Sequence, residues 1–180
     1  MKTTRTEKIL IVLQAISWVL FIGVCIKTGA IIFSFFVSLF INPMGAENLF
    51  LGLNLSGLFD FDKFHYVIMV LFIISLSVLK AFMVYLVIRI FLKINFAFPF
   101  SSQVASLIAK ISYVAFAIGL LNLIAIYYSE YLILRTVKLP ELHQYLNSKA
   151  EYLFFAGIIF VVAQVFKRGI EIQSENELTV

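Results

Sequence analysis

Apolar residues are grouped along this chain into four stretches, with short polar segments between them. The stretches cover Ile9 to Ile41, Tyr66 to Leu92, Val104 to Tyr128, and Tyr152 to Phe166. About 20 helical residues cross the hydrocarbon of a bilayer, and a backbone in lipid must satisfy its own hydrogen bonds, so each stretch predicts a membrane-spanning helix. The pattern predicts an all-α membrane fold, a bundle of four transmembrane helices.

We expect a single membrane domain over residues 1–180, with spans at about 9–36, 66–92, 104–128 and 150–168 and a tail at 169–180. The first stretch is too long for one straight crossing, because its roughly 33 residues would extend about 50 Å. Lys27 interrupts it, which leaves two interpretations. Either the crossing ends near Ile26 with Lys27 at the interface, or a tilted helix continues to Phe40 and emerges from the membrane.

The connections between the spans have patterns of their own. Apolar and polar residues alternate from Leu53 to Ser56 and again from Phe59 to Asp62. Such alternation is typical of half-buried strands, so we predict a small extracytoplasmic β-hairpin between the first two helices. In the connection at 131–149, a short amphipathic surface helix is predicted by Pro140, Leu142, Tyr145 and Leu146.

The composition favours a membrane protein over a water-soluble one. Of the 180 residues, 62% are hydrophobic and 13% are charged, whereas soluble domains are about half apolar and about a quarter charged. The net charge of +4 is therefore interpreted through the membrane. We expect the lipid bilayer as a partner and no direct contact with nucleic acid.

The distribution of Lys and Arg predicts the orientation. Eight of them lie on one side of the predicted membrane, at Lys2, Arg5, Lys8, Arg89, Lys93, Lys110, Lys167 and Arg168. Four lie on the other side, at Lys63, Arg135, Lys138 and Lys149. Six carboxylates accompany them there. Because Lys and Arg are enriched in cytoplasmic segments, both ends of the chain are expected in the cytoplasm.

The N-terminal segment has the basic start and apolar run of a signal peptide. No small-residue cleavage site follows, so we interpret it as an uncleaved first membrane helix. Cys25 is the only cysteine, and we interpret it as a small buried apolar residue.

Polar residues inside the predicted spans are candidates for function, namely Lys80, Asn122 and Gln164. Lys80 has no intramembrane carboxylate to pair with. We favour a Lys80 side chain that extends toward water over one that lines an aqueous path.

The third span carries a stripe of small residues, Ala105, Ala109, Ser112, Ala115 and Gly119. Small residues at this spacing let helices approach closely, and we favour packing within the monomer over a homo-oligomer face.

Motifs for catalysis or metal binding are absent from the sequence. Asp60, Asp62 and His65 match no strong ligand spacing, and we interpret them as surface charge. No phosphate-binding loop, zinc-peptidase motif or nucleophile elbow occurs, so we expect neither an enzyme nor a cofactor.

The C-terminal segment is acidic in a chain that is otherwise poor in acid. Lys167-Arg168-Gly169 is followed by IEIQSENELTV, and Pro99-Phe100 precedes the third span. In these two motifs the chain resembles a bacterial family of uncharacterised four-span membrane proteins, a domain of unknown function. Members end in an arginine-glycine pair, alternating glutamate and apolar residues, then glutamate-asparagine, an acid and leucine-threonine.

The resemblance implies a multi-pass protein of the bacterial cytoplasmic membrane and a frequent gene neighbour, a small helix-turn-helix regulator of the Cro type. It suggests that the membrane protein binds and restrains this regulator. The candidate contact residues are Glu171, Glu175, Asn176, Glu177, Leu178, Pro99 and Phe100. The alternatives are a small transporter or channel component that uses Lys80 and Asn122, and an accessory membrane subunit without chemistry of its own.

Overall fold

Helices account for most of the chain. The structure, a computed structural model, describes residues 5–94, 100–135, 142, 146 and 150–177. These residues contain α1 (Arg5–Phe40), α2 (Ser56–Phe61), α3 (Lys63–Lys93), α4 (Ser102–Leu134) and α5 (Glu151–Glu177). Four of them, α1, α3, α4 and α5, are long and apolar enough to cross a membrane. The prediction of an all-α fold with four long apolar helices is thus confirmed.

The long helices pack as antiparallel neighbours in the order α1, α3, α4, α5. Phe35 of α1 meets Tyr66 near the start of α3, and Phe21 meets Tyr85 near its end. The end of α3, the start of α4 and the end of α5 therefore lie together. We call residues 89–93, 100–110 and 166–177 the basic end, and residues 38–66 and 122–135 at the opposite end the capped end.

The predicted β-hairpin between the first two long helices is wrong, because residues 42–65 contain no strand. Asn42 caps a short 3-10 helix, Pro43–Ala46, and α2 follows after a turn. The Asn54 side chain accepts a hydrogen bond from the Ser56 backbone, and Asp62 accepts from the Phe64 and His65 backbones at the start of α3. The polar residues of the alternating pattern therefore belong to the turn before α2 (Asn54), to α2 itself (Ser56 and Asp60) and to the cap of α3 (Asp62), and none belongs to a strand.

Among the described residues, the largest cluster of buried apolar side chains lies toward the capped end. Leu53, Leu55 and Leu58 are at most 1% exposed and pack in one cluster with Tyr66. Leu142 and Leu146 are both helical and both 3% exposed, and they join this cluster as expected for the apolar face of the predicted surface helix. Pro140 and Tyr145 of that prediction lie outside the described residues.

The small residues of α4 pack against α5. Ser112 donates a hydrogen bond to the Ala156 carbonyl at 2.9 Å, and Ala115 is fully buried. A Cβ added to Gly119 would lie 2.6 Å from the Leu153 side chain, so only glycine fits there without movement of the neighbour. This arrangement supports packing of the stripe within the monomer, which was the favoured interpretation.

The helices differ in how much protein covers them. In the most apolar 18 residues of α1, 6% are buried inside the protein, whereas 50% are buried in the corresponding part of α4. α1 continues unbroken past Lys27 to Phe40. Since Gly119 of α4 meets Leu153 near the start of α5, α4 continues for about 22 Å beyond that level toward the capped end.

Candidate functional site

The two motifs that carried the family resemblance come into contact at the basic end. Phe100 and Phe166 have ring centroids 5.4 Å apart in an edge-to-face arrangement. A Cβ added to Gly169 would lie 2.5 Å from the Phe100 ring. Gly169 therefore permits the ring to lie directly on the backbone of α5. Pro99, the other candidate in this segment, lies outside the described residues.

The acidic segment is the continuation of α5, which runs to Glu177 without a break. Glu171 and Glu175 are exposed and lie one helical turn apart, so they share a face. Glu171 pairs with Arg168 at 2.6 Å, and both side chains are more than half exposed. Ser174 donates a hydrogen bond to the Glu171 carbonyl. Asn176 and Glu177 are helical in backbone, while their side chains and Leu178 lie outside the description.

A polar cleft opens between the end of α3 and the start of α4. It has a volume of about 430 Å³, and its lining includes Arg89, Lys93 and Lys110 together with Ser102, Gln103 and Ser106. Ser101 caps α4 by accepting a hydrogen bond from the Val104 backbone. Sequence reasoning used these cations only to orient the chain and missed that they line one cleft.

The candidate intramembrane residues occupy three different settings. The Lys80 ammonium lies over the Tyr152 ring at 5.3 Å from its centre, a favourable cation–π arrangement at the start of α5. Asn122 is 4% exposed within α4. Gln164 is exposed on α5. Neither the polar cleft nor the apolar groove described below includes any of the three.

Asp62 and His65 have structural roles at the capped end. Asp62 caps α3, as described above, and the His65 ring nitrogen Nδ1 shares a hydrogen bond of 2.6 Å with the Tyr128 hydroxyl. Asp60 is exposed. The Lys63 ammonium lies over the Phe59 ring at 5.2 Å. Two of the three residues considered for metal binding thus stabilise the start of α3.

Cys25 is not buried, contrary to our prediction. It lines an apolar groove of about 470 Å³ between α1 and α3, together with Phe21, Gly29 and Phe82. The groove exists because small residues of α1 face α3 without filling the space between the helices. Sequence periodicity could not reveal this, since apolar residues lie on every side of the first helix.

Comparison of the chain with protein-family models, with curated proteins and with solved structures found no match.

Proposed function

We propose that this chain is a non-enzymatic protein of the bacterial cytoplasmic membrane whose basic end lies in the cytoplasm and binds a small helix-turn-helix regulator. The single observation that carries the proposal is the contact of Phe100 with Gly169 and Phe166. This contact joins the start of α4 to the acidic part of α5 in one surface. These are the two segments in which the chain resembles the membrane-protein family with a Cro-type gene neighbour.

The chemistry of this surface is complementary to a DNA-binding module. Such modules carry a concentration of Lys and Arg on the face that binds phosphates. Glu171 and Glu175 present two exposed carboxylates to such a face, and Ile172 beside them is 47% exposed. The exposed Arg168–Glu171 pair is worth little in free energy, so it can open when a partner arrives.

The size of the surface requires both segments. The part of α5 beyond Lys167 extends for about 15 Å, and one face of it is far smaller than the roughly 800 Å² per partner of a stable interface. Phe100 is 38% exposed and adds an aromatic anchor beside the helix. A regulator that occupied this surface would have its phosphate-binding residues covered by carboxylates, which is how it would be restrained.

The test measures binding between the full chain in lipid nanodiscs and a small helix-turn-helix regulator of the Cro type from the same organism. We expect the double variant Glu171→Gln/Glu175→Gln to weaken the affinity about tenfold or more, because desolvated charge pairs at an interface are sensitive to the loss of one partner. The matched control is Glu47→Gln/Asp60→Asn, which removes the same charge at exposed positions of the capped end. Equal affinity for both double variants would remove the acidic face from the mechanism.

A further inference from the structure

The cleft at the basic end is lined by three cations, Arg89, Lys93 and Lys110. Among the described residues that line it, none is acidic. Within the described part of the chain, neither Lys93 nor Lys110 forms an ion pair. The cleft therefore has an excess of positive charge that an anion would neutralise.

The remaining polar groups of the cleft are suited to phosphate oxygens. Ser102, Gln103 and Ser106 supply two hydroxyls and an amide. Ser102 and Gln103 also form the first turn of α4, where backbone amides have no acceptor within the helix. The Arg89 guanidinium is held by a hydrogen bond of 3.1 Å to the Tyr85 hydroxyl, which limits its freedom before any ligand binds.

The position of the cleft suits a lipid headgroup. It lies where the apolar surfaces of α3 and α4 end, and headgroups lie at this depth of a bilayer. Leu92 is 58% exposed and Tyr113 is 63% exposed on these two helices. These surfaces would contact acyl chains while the cations contact the phosphate. Basic pockets between transmembrane helices bind acidic headgroups in this way.

We propose that the cleft of Arg89, Lys93 and Lys110 binds a phosphate group, and that the headgroup of an acidic phospholipid supplies it. None of the described residues that line the cleft belongs to α5, so the proposal of lipid binding does not rest on the proposed binding of a regulator. A bound acidic lipid would fix the end of α3 against the start of α4 by neutralising the repulsion among the three cations.

The experiment measures lipid binding to the full chain in detergent by native mass spectrometry, with dioleoyl-phosphatidylglycerol and dioleoyl-phosphatidylcholine as probes. A cation that lies beside a bound acidic headgroup contributes about fivefold to binding, so the variant Lys93→Gln/Lys110→Gln, which removes two such cations from the cleft, should lose about 25-fold in its preference for phosphatidylglycerol. Lys93→Arg/Lys110→Arg should retain that preference. The matched control, Lys8→Gln/Lys167→Gln, removes two exposed cations of α1 and α5 that do not line the cleft, and it should also retain the preference.

A second arm separates the two sources of phosphate. Inorganic phosphate at millimolar concentration should leave phosphatidylglycerol binding unchanged, because the acyl chains add contacts that free phosphate lacks. Displacement of the lipid by inorganic phosphate would overturn the assignment to a headgroup. An equal loss of lipid preference in the Gln variant and in the matched control would overturn the cleft itself, since it would show a nonspecific effect of charge.

Discussion

Among single residues, Gly169 is the one on which the candidate docking surface depends most directly. The Phe100 ring lies on its backbone, and a Cβ added by Gly169→Ala would lie 2.5 Å from that ring, so the ring would have to move away by about 1 Å to reach an ordinary contact distance. We expect a loss of about 1 kcal/mol in stability and weaker regulator binding. Gly157 is the control, because it lies in the same helix with no heavy atom within 4 Å of an added Cβ. Gly157→Ala should be neutral or stabilise by about 0.5 kcal/mol in thermal unfolding in detergent.

Tyr66 joins α3 to α1 through a buried hydrogen bond. It is fully buried, and its hydroxyl lies 2.6 Å from the Ser38 hydroxyl. The Ser38 hydroxyl donates its only proton to the Phe35 carbonyl at 2.7 Å. In the contact between the two hydroxyls, Tyr66 is therefore the donor and Ser38 the acceptor. Tyr66→Phe should lower the free energy of unfolding by about 1 kcal/mol, because it leaves a buried oxygen without its donor. Tyr113→Phe, at a position that is 63% exposed, should change it little. Equal effects in chemical denaturation would contradict this assignment.

At the scale of elements, the start of α3 depends on a capping side chain. Asp62 accepts hydrogen bonds from the Phe64 and His65 backbones, so Asp62→Ala should destabilise the protein by about 1 kcal/mol. Hydrogen exchange at the first turn of α3 should accelerate in this variant. Asp60→Ala removes the same charge two residues earlier in an exposed position, and it should leave that exchange unchanged. Acceleration in both variants would indicate a charge effect and not a cap.

The elements also indicate which parts of the fold the sequence can predict. The four long helices follow from hydropathy alone, because lipid leaves the backbone few other ways to satisfy its hydrogen bonds. The hairpin failed because alternation over four residues does not distinguish a strand from a helix end and its cap. Phe59 is 7% exposed and Phe61 is 47% exposed, so the two residues that would share one face of a strand have different environments.

The residues of the candidate site could be predicted from the sequence, but the contacts between them could not, because these contacts depend on how the helices of the whole molecule pack. The sequence indicated Phe100 and the acidic ending separately, but their contact depends on how α4 and α5 align. The basic cleft depends in the same way on the antiparallel packing of α3 and α4, which places Arg89 and Lys93 beside Lys110. A local sequence pattern cannot predict these two contacts, because the residues of each lie on different helices that are joined by at least one connection.

The orientation of the whole molecule decides whether the basic end meets cytoplasmic partners. Antiparallel packing places Glu175 and Asp60 at opposite ends of the molecule, and the charge distribution predicts that Glu175 lies in the cytoplasm. Cys25 is the only cysteine, so a Cys25→Ser background allows single labels. A membrane-impermeant maleimide applied to intact cells should label Asp60→Cys and should label Glu175→Cys only after the membrane is permeabilised. Labelling of Glu175→Cys in intact cells would place the acidic face outside the cell, where it could not bind an intracellular regulator.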